Sequence, residues 1–160
     1  VYSVVSTEEK ERLAYEAGAT KVFRYGDSGE ELAAAIKEAN GGEGVDVVYD
    51  GVGKDTFEFA LQVTRPRGLV CSFGSASGDV EPFKIQQLNA HGALFLTRPS
   101  LKHYVATDEE FLMRAQAVAR AVEDGTIHIR THSPDALEHA QKAHQDLQAR
   151  RTTGSVVLKI

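Results

Sequence analysis

The chain has 160 residues, 18 Lys+Arg against 23 Asp+Glu for a formal net charge of -5, and 42% apolar residues. This is one ordinary domain's worth of chain with enough apolar side chains for a core, and it excludes a disordered, collagen-like or disulfide-stapled polypeptide. The acidic balance argues against nucleic-acid binding, which runs on clustered Lys and Arg, and no apolar run nears the roughly 20 residues of a membrane span. Cys71 is the single cysteine. It can form neither an internal disulfide nor a thiolate metal cage, so a reducing, cytoplasmic setting is the expectation.

Val1–Val5 is rich in β-branched residues and reads as a buried strand. Ser6 and Glu9 have capping-box spacing, so a helix over Thr7–Ala17 follows, with Leu13 and Ala17 inward and Gly18 as its stop. Lys21–Tyr25 is a second strand. Asp27-Ser28-Gly29 turns into a helix over Glu30–Asn40, where Leu32, Ala35, Ile36 and Ala39 recur at helical spacing, and Gly41-Gly42 ends it. Val45–Asp50 is a strand closing on Asp50-Gly51-Val52-Gly53. A helix over Thr56–Val63, the turn Arg65-Pro66-Arg67-Gly68 and a strand over Leu69–Phe73 come next. Residues 79–91 are irregular, with a helical turn near Lys84–Asn89. Ala93–Thr97 is a strand, Asp108–Asp124 a long amphipathic helix begun by Thr107 and stopped by Gly125, and Ile127–Ile129 a short extended piece. A helix over Ala136–Ala149 and a strand over Ser155–Ile160 finish the chain.

Strands alternating with helices predict βαβ crossovers and a doubly wound parallel α/β sheet. Ligands in such sheets bind beyond the carboxyl ends of the strands, which selects Ser6, Tyr25, Asp50–Gly53, Gly74–Ser77 and Thr97-Arg98 for scrutiny. Gly51 and Gly53 either let a ligand approach the backbone or make a tight turn. Phe73 either stacks on a flat ring or belongs to the core. In nucleotide-binding units an acidic residue after the second strand takes the ribose hydroxyls of NAD. Here Ser6-Thr7 stand after the first strand of the chain, with Lys10 one turn on. That set suits a ribose 2′-phosphate at a helix N-terminus, or simply a capped helix with a solvated lysine. The six histidines form no HExxH pattern and have no cysteine pair beside them, so no zinc site is expected. No GxSxG elbow occurs, and Cys71 lies within an apolar strand as an inert thiol.

Five segments occur in order: Val47-Val48-Tyr49-Asp50-Gly51-Val52-Gly53, Arg65-Pro66-Arg67-Gly68, Ser72-Phe73-Gly74, Phe95-Leu96-Thr97-Arg98-Pro99, and Ala149-Arg150-Arg151-Thr152-Thr153-Gly154. Together they resemble the C-terminal half of the zeta-crystallin-like quinone oxidoreductases, the zinc-free branch of the medium-chain dehydrogenases/reductases. The resemblance implies a Rossmann cofactor domain, a GroES-like catalytic domain, and NADPH in the cleft between them. It implies a 2′-phosphate site at Ser6, Thr7 and Lys10, and an adenine-side tyrosine at Tyr25. It implies a loop past the nicotinamide ribose at Ser72, Phe73, Gly74 and Ser75, and a nicotinamide-side segment at Leu96, Thr97 and Arg98. Arg150 matches a basic residue reaching the cofactor phosphates. Gly51 stands where many members carry Ser.

By this resemblance residues 1–130 are a partial Rossmann domain, and 131–160 a helix and strand returning to the GroES-like domain. The Rossmann domain's first strand and its Gly-rich phosphate turn are expected to precede Ser6 by about 20 residues, so the chain is expected to be a fragment, or to have its gap filled by another chain. The expected activity is NADPH-dependent reduction of quinones or related conjugated carbonyls, without metal, with the fragment inactive alone. A non-catalytic NADPH-binding, crystallin-like or dimerisation module, and an enoyl thioester reductase, are the competing expectations. The apolar edge strand Ala93–Thr97 is expected to join two copies into a homodimer.

Overall fold

The computed structural model describes residues 1–26, 29–149 and 151–160. The expected turn at Asp27-Ser28 and the expected phosphate contact at Arg150 lie outside them. The chain divides into two compact units, Val1–Tyr104 and Val105–Ile160.

The first unit runs β1 (Tyr2–Val5), α1 (Glu8–Glu16), β2 (Lys21–Arg24), α2 (Gly29–Ala39), β3 (Val45–Asp50), α3 (Phe57–Val63), β4 (Thr64–Ser72), α4 (Gln86–Ala90) and β5 (Phe95–Thr97). All its strand pairs are parallel, in the register Tyr2↔Lys21, Val48↔Val70 and Val70↔Leu96. The α/β parallel architecture is the one expected. The strands form two sheets, β1-β2 and β3-β4-β5, and β1 does not pair with β3.

Two apolar clusters hold these sheets to their helices. Phe57, Ala60 and Leu61 of α3 pack with Val70 of β4 and Leu94, and Leu96 lies against them. Leu32, Ala33 and Ile36 of α2 pack with Val63, flanked by Tyr2, Val4, Phe23 and Val45 from three strands. Leu61 and Val70 have no exposed surface. Each such side chain contributes about 1.5–3 kcal/mol through burial.

Several boundaries differ from expectation for identifiable reasons. Thr7, not Ser6, caps α1, its hydroxyl accepting from Lys10 N at 3.2 Å. That leaves Ser6 outside the helix. Ala17 is exposed, so α1 turns Leu13 and Ala14 inward instead. In α2 the buried positions are Leu32, Ala33 and Ile36, while Ala35 faces solvent. The Arg65–Gly68 turn is absorbed into β4, where the register slips between Val45↔Thr64 and Val47↔Leu69. Arg67 takes the slack with φ of 62°.

In the second unit α5 (Asp108–Glu123) begins as expected, with the Thr107 hydroxyl accepting from Glu110 N at 3.2 Å. Gly125 follows it at φ 78°. Ile127–Ile129 is not a strand. Instead β6 (Thr131–Ala136) pairs in parallel with β7 (Ser155–Lys159), and a 3₁₀ turn precedes α6 (Ala140–Gln148). The pairing skips a register step between His132 and Asp135.

Candidate functional site

Parallel strands carry their crossover loops to a common end, so the carboxyl tips of one sheet gather residues distant in sequence. The first unit has two such gatherings. At the tips of β1 and β2, Tyr25 N donates to Val5 O at 3.0 Å, which brings Tyr25 beside Ser6 and Thr7. Lys10 Nζ stands 3.4 Å from Ser6 Oγ. Ser6 and Thr7 are exposed, as is Tyr25, and Lys10 is half-buried. An ammonium, two hydroxyls and the first N–H groups of α1 form a donor set suited to a phosphate monoester. Glu8, Glu9 and Glu11 share that first turn. Glu11 is paired with Arg24 at 3.3 Å.

At the tips of β3 and β4, two loops are clipped backbone to backbone. Asp50 O accepts from Phe73 N at 2.8 Å and Gly74 N at 3.3 Å, and Ser77 N donates to Val52 O at 2.8 Å. Ser77 Oγ donates to Val52 O at 2.8 Å and accepts from Asp55 N at 3.1 Å. The contact is close because both loops present glycine. A Cβ on Gly74 would lie 2.5 Å from Gly51 O, and one on Gly53 would lie 2.7 Å from Gly78 O. Phe73 is 54% exposed, so it is not a core residue, whereas the preceding Ser72 is buried.

Thr97 lies beside Cys71 and Leu96 beside Val70 in the β5 register. Leu96 packs on the α3 cluster, which gives its side chain a structural task. Arg98 donates to Pro99 O at 3.1 Å.

A cavity of about 590 Å³ separates the two sheets. Tyr2 and Val4 of β1 line it from one side, the length of β3 from the other, with Ile36 and Phe59 among its walls and Tyr25, Gly51 and Val52 at the strand tips. The structure thus brings Tyr25 and Gly51 to one cavity, while Ser72–Ser75 and Leu96–Arg98 gather at the neighbouring tips.

Asp50 organises these loops; the strand-tip rule selects it for scrutiny, but side-chain chemistry at the tips assigns it no role. Its Oδ1 accepts from Val52 N at 2.9 Å, Gly53 N at 3.2 Å and Thr56 Oγ1 at 2.7 Å. The sequence signal was present: an acid ending an apolar strand, then Gly-x-Gly, then a threonine at a helix start, the Asx-turn chemistry of a loop closed on its own carboxylate.

A family profile described as zinc-binding dehydrogenase matches residues 1–112. The chain is similar to a quinone oxidoreductase of Pseudomonas aeruginosa, at 44% identity over 96% of this chain and 47% of that protein. It is similar to a 2-haloacrylate reductase of a Burkholderia species, at 38% identity over 99% of this chain and 47% of the relative. A mycobacterial protein solved in complex with NADPH superposes with a TM-score of 0.94 at 44% identity, covering 100% of this chain and 50% of that one. The chain therefore spans about half the length of the curated relatives it matches. The family's description implies zinc, and the residues do not fit it: among those described, no group of three or more His, Cys, Asp or Glu could hold a metal ion.

Proposed function

The chain belongs to the zinc-binding dehydrogenase family, and on that premise we propose that it is the cofactor-binding portion of an NADPH-dependent oxidoreductase acting on quinones or related conjugated carbonyls. The observation that carries this reading is the pairing of Lys10 Nζ with Ser6 Oγ at the exposed N-terminus of α1. An acidic residue would stand there in an NAD-selective site. The named relatives supply the substrate class, since a quinone and a haloacrylate both carry a carbon–carbon double bond conjugated to a carbonyl carbon.

Ser6, Thr7 and Lys10 would hold the 2′-phosphate, and Tyr25 would cover the adenine side. The backbone of Gly51 and the Ser72–Ser75 loop would pass the nicotinamide ribose. Thr97 and Arg98 would border the nicotinamide, with Leu96 as support, and Arg150 would reach the phosphates. When bound, NADPH supplies the hydride; the chain's task is to orient it. The clipped loops suit that task, because bonds between their backbones leave them little freedom to shift with the ligand.

Residues 1–130 form the cofactor portion in this reading, and 131–160 return to a GroES-like domain. The sheet is completed by a parallel strand between β1 and β3, supplied by the rest of the protein. Two observations support this: among the described residues β1 and β3 both lack a partner on the facing edge, and the cavity between them is lined by strand residues. A homodimer through β5 belongs to the same reading.

The test is steady-state quinone reduction by the complete protein with NADPH and with NADH. Losing a charge-assisted contact worth about 1.5–3 kcal/mol predicts that Lys10→Ala raises KM for NADPH about tenfold or more and leaves KM for NADH nearly unchanged. Equal effects on the two cofactors overturn the phosphate role.

A further inference from the structure

Asp50 ends β3 with 5% of its surface exposed. Its Oδ1 takes three hydrogen bonds and its carbonyl two, all from the loops after β3 and β4. Its Oδ2 takes none. Among the described residues it is the one buried side-chain polar atom without a partner. A buried acceptor left bare is costly, and more so on a charged group. Asparagine could also accept the three bonds at Oδ1, more weakly without the charge, and would set an NH₂ in the place of Oδ2. The loop bonds engage one oxygen of this carboxylate and leave the other for a further donor.

The same residue lines the cavity between β1 and β3. The facing walls of that cavity are strand edges, so its occupant is extended backbone, and extended backbone presents N–H groups. Cofactor phosphates are a poor alternative, because a carboxylate repels them. We propose that Asp50 Oδ2 accepts a hydrogen bond from a backbone N–H of the strand that fills this cavity. Asp50 is then a positioning residue. One carboxylate oxygen shapes the loops beside the cofactor, and the other fixes their height against the central strand. This rests on the reading above that the remainder of the protein completes the sheet.

Asp50→Asn in the complete protein is the test. Val52, Gly53 and Thr56 hold the amide oxygen at the Oδ1 position, which forces the NH₂ into the place of Oδ2. If a backbone N–H points there, two donors collide. The expected result is a Tm lowered by about 4–8 °C and a Kd for NADPH raised about tenfold. Thr56→Val is the control, since it costs Oδ1 one bond and leaves Oδ2 alone; its Kd for NADPH is expected to stay within about twofold. A merely structural role for Asp50 would move Tm in both variants and Kd in neither. If Asp50→Asn is as stable as the parent or more so, the proposal is overturned, because the amide has then relieved a bare oxygen.

Should Asp50→Asn fail to fold, the crystal structure of the complete wild-type protein decides. A backbone nitrogen within about 3.2 Å of Oδ2, from a strand lying between β1 and β3, supports the proposal. A strand in the cavity with Oδ2 bonded elsewhere refutes this proposal alone. No strand in the cavity refutes the reading beneath it as well.

Discussion

Phe73 lies on Gly51: a Cβ added to Gly51 would come within 2.9 Å of Phe73 Cζ. The obstacle is the far end of a side chain, which can swing. At Gly74 the obstacle is the backbone of Gly51, at 2.5 Å from its oxygen, and cannot. The two glycines of one contact are thus predicted to behave differently. Gly51→Ser should cost less than about 1 kcal/mol of stability and change NADPH affinity a few-fold by displacing the ring. Gly74→Ala should cost about 1–3 kcal/mol by forcing the loops apart. Chemical denaturation and cofactor titration of the two variants measure both effects. Equal costs would show that the loops are less tightly joined than their hydrogen bonds indicate.

The elements that could be read from sequence were those whose local chemistry and packing agree. β3 was expected at Val45–Asp50 and lies there, because an apolar run, a following Gly-x-Gly and burial against α3 all mark the same segment. The caps at Thr107 and Gly125 follow from one residue's preference each. What sequence did not reveal was set by partners far along the chain. β6 has no apolar run of its own and takes its form from β7. Ala33 is buried in place of Ala35 because α2 also meets Val63. At the proposed site, the contact of Lys10 with Ser6 follows from their spacing of one helical turn. The bonds at Asp50 Oδ1 are local and legible in the sequence, whereas the clip onto its carbonyl needed the β4 loop, whose N–H groups arrive from more than 20 residues away.

Arg67 occupies the left-handed region at φ 62°, and its N donates to Gly92 O at 2.8 Å. A side chain in that region is strained, and glycine is not. Arg67→Gly is expected to stabilise the first unit by about 0.5–1 kcal/mol, the relief of strain outweighing the added freedom of the unfolded chain. A rise in Tm with unchanged cofactor affinity checks this. A fall in Tm would mean that the guanidinium makes a contact in the complete protein worth more than the strain.

In the second unit Asp146 accepts from Lys142 Nζ at 2.6 Å and from Arg151 at 2.6 Å. These bonds hold its carboxyl below the ordinary value of 3.8 and raise the ammonium of Lys142 above 10.5. A lowered carboxylate contributes stability that is present above its unfolded value and is lost as pH falls through the folded one. The raised lysine contributes below its unfolded value and loses it as pH rises through the folded one. Asp146→Asn should therefore flatten the loss of Tm below about pH 4 and also shrink the loss above about pH 10. Thermal melts across both ranges test it. A variant whose acid limb matches the parent's would assign that limb to other carboxylates, Asp135 beside His139 among them.

The expected dimer edge changes character once its side chains are placed. Leu94 lies within the expected edge segment Ala93–Thr97, but it is 6% exposed and packs among Phe57, Leu61 and Val70. A charge there attacks the core, and Leu94→Glu should unfold the first unit without reporting on assembly. Phe95 is 65% exposed on the outermost strand of its sheet. An apolar ring on an open edge is what a second copy would cover, and what a monomer would replace with charge. Phe95→Glu should convert a dimer to monomers in light scattering while holding Tm at high dilution within a few degrees of the parent. If the parent is already monomeric, the edge-to-edge arrangement is wrong. If Phe95→Glu remains dimeric, the two copies meet through some other surface.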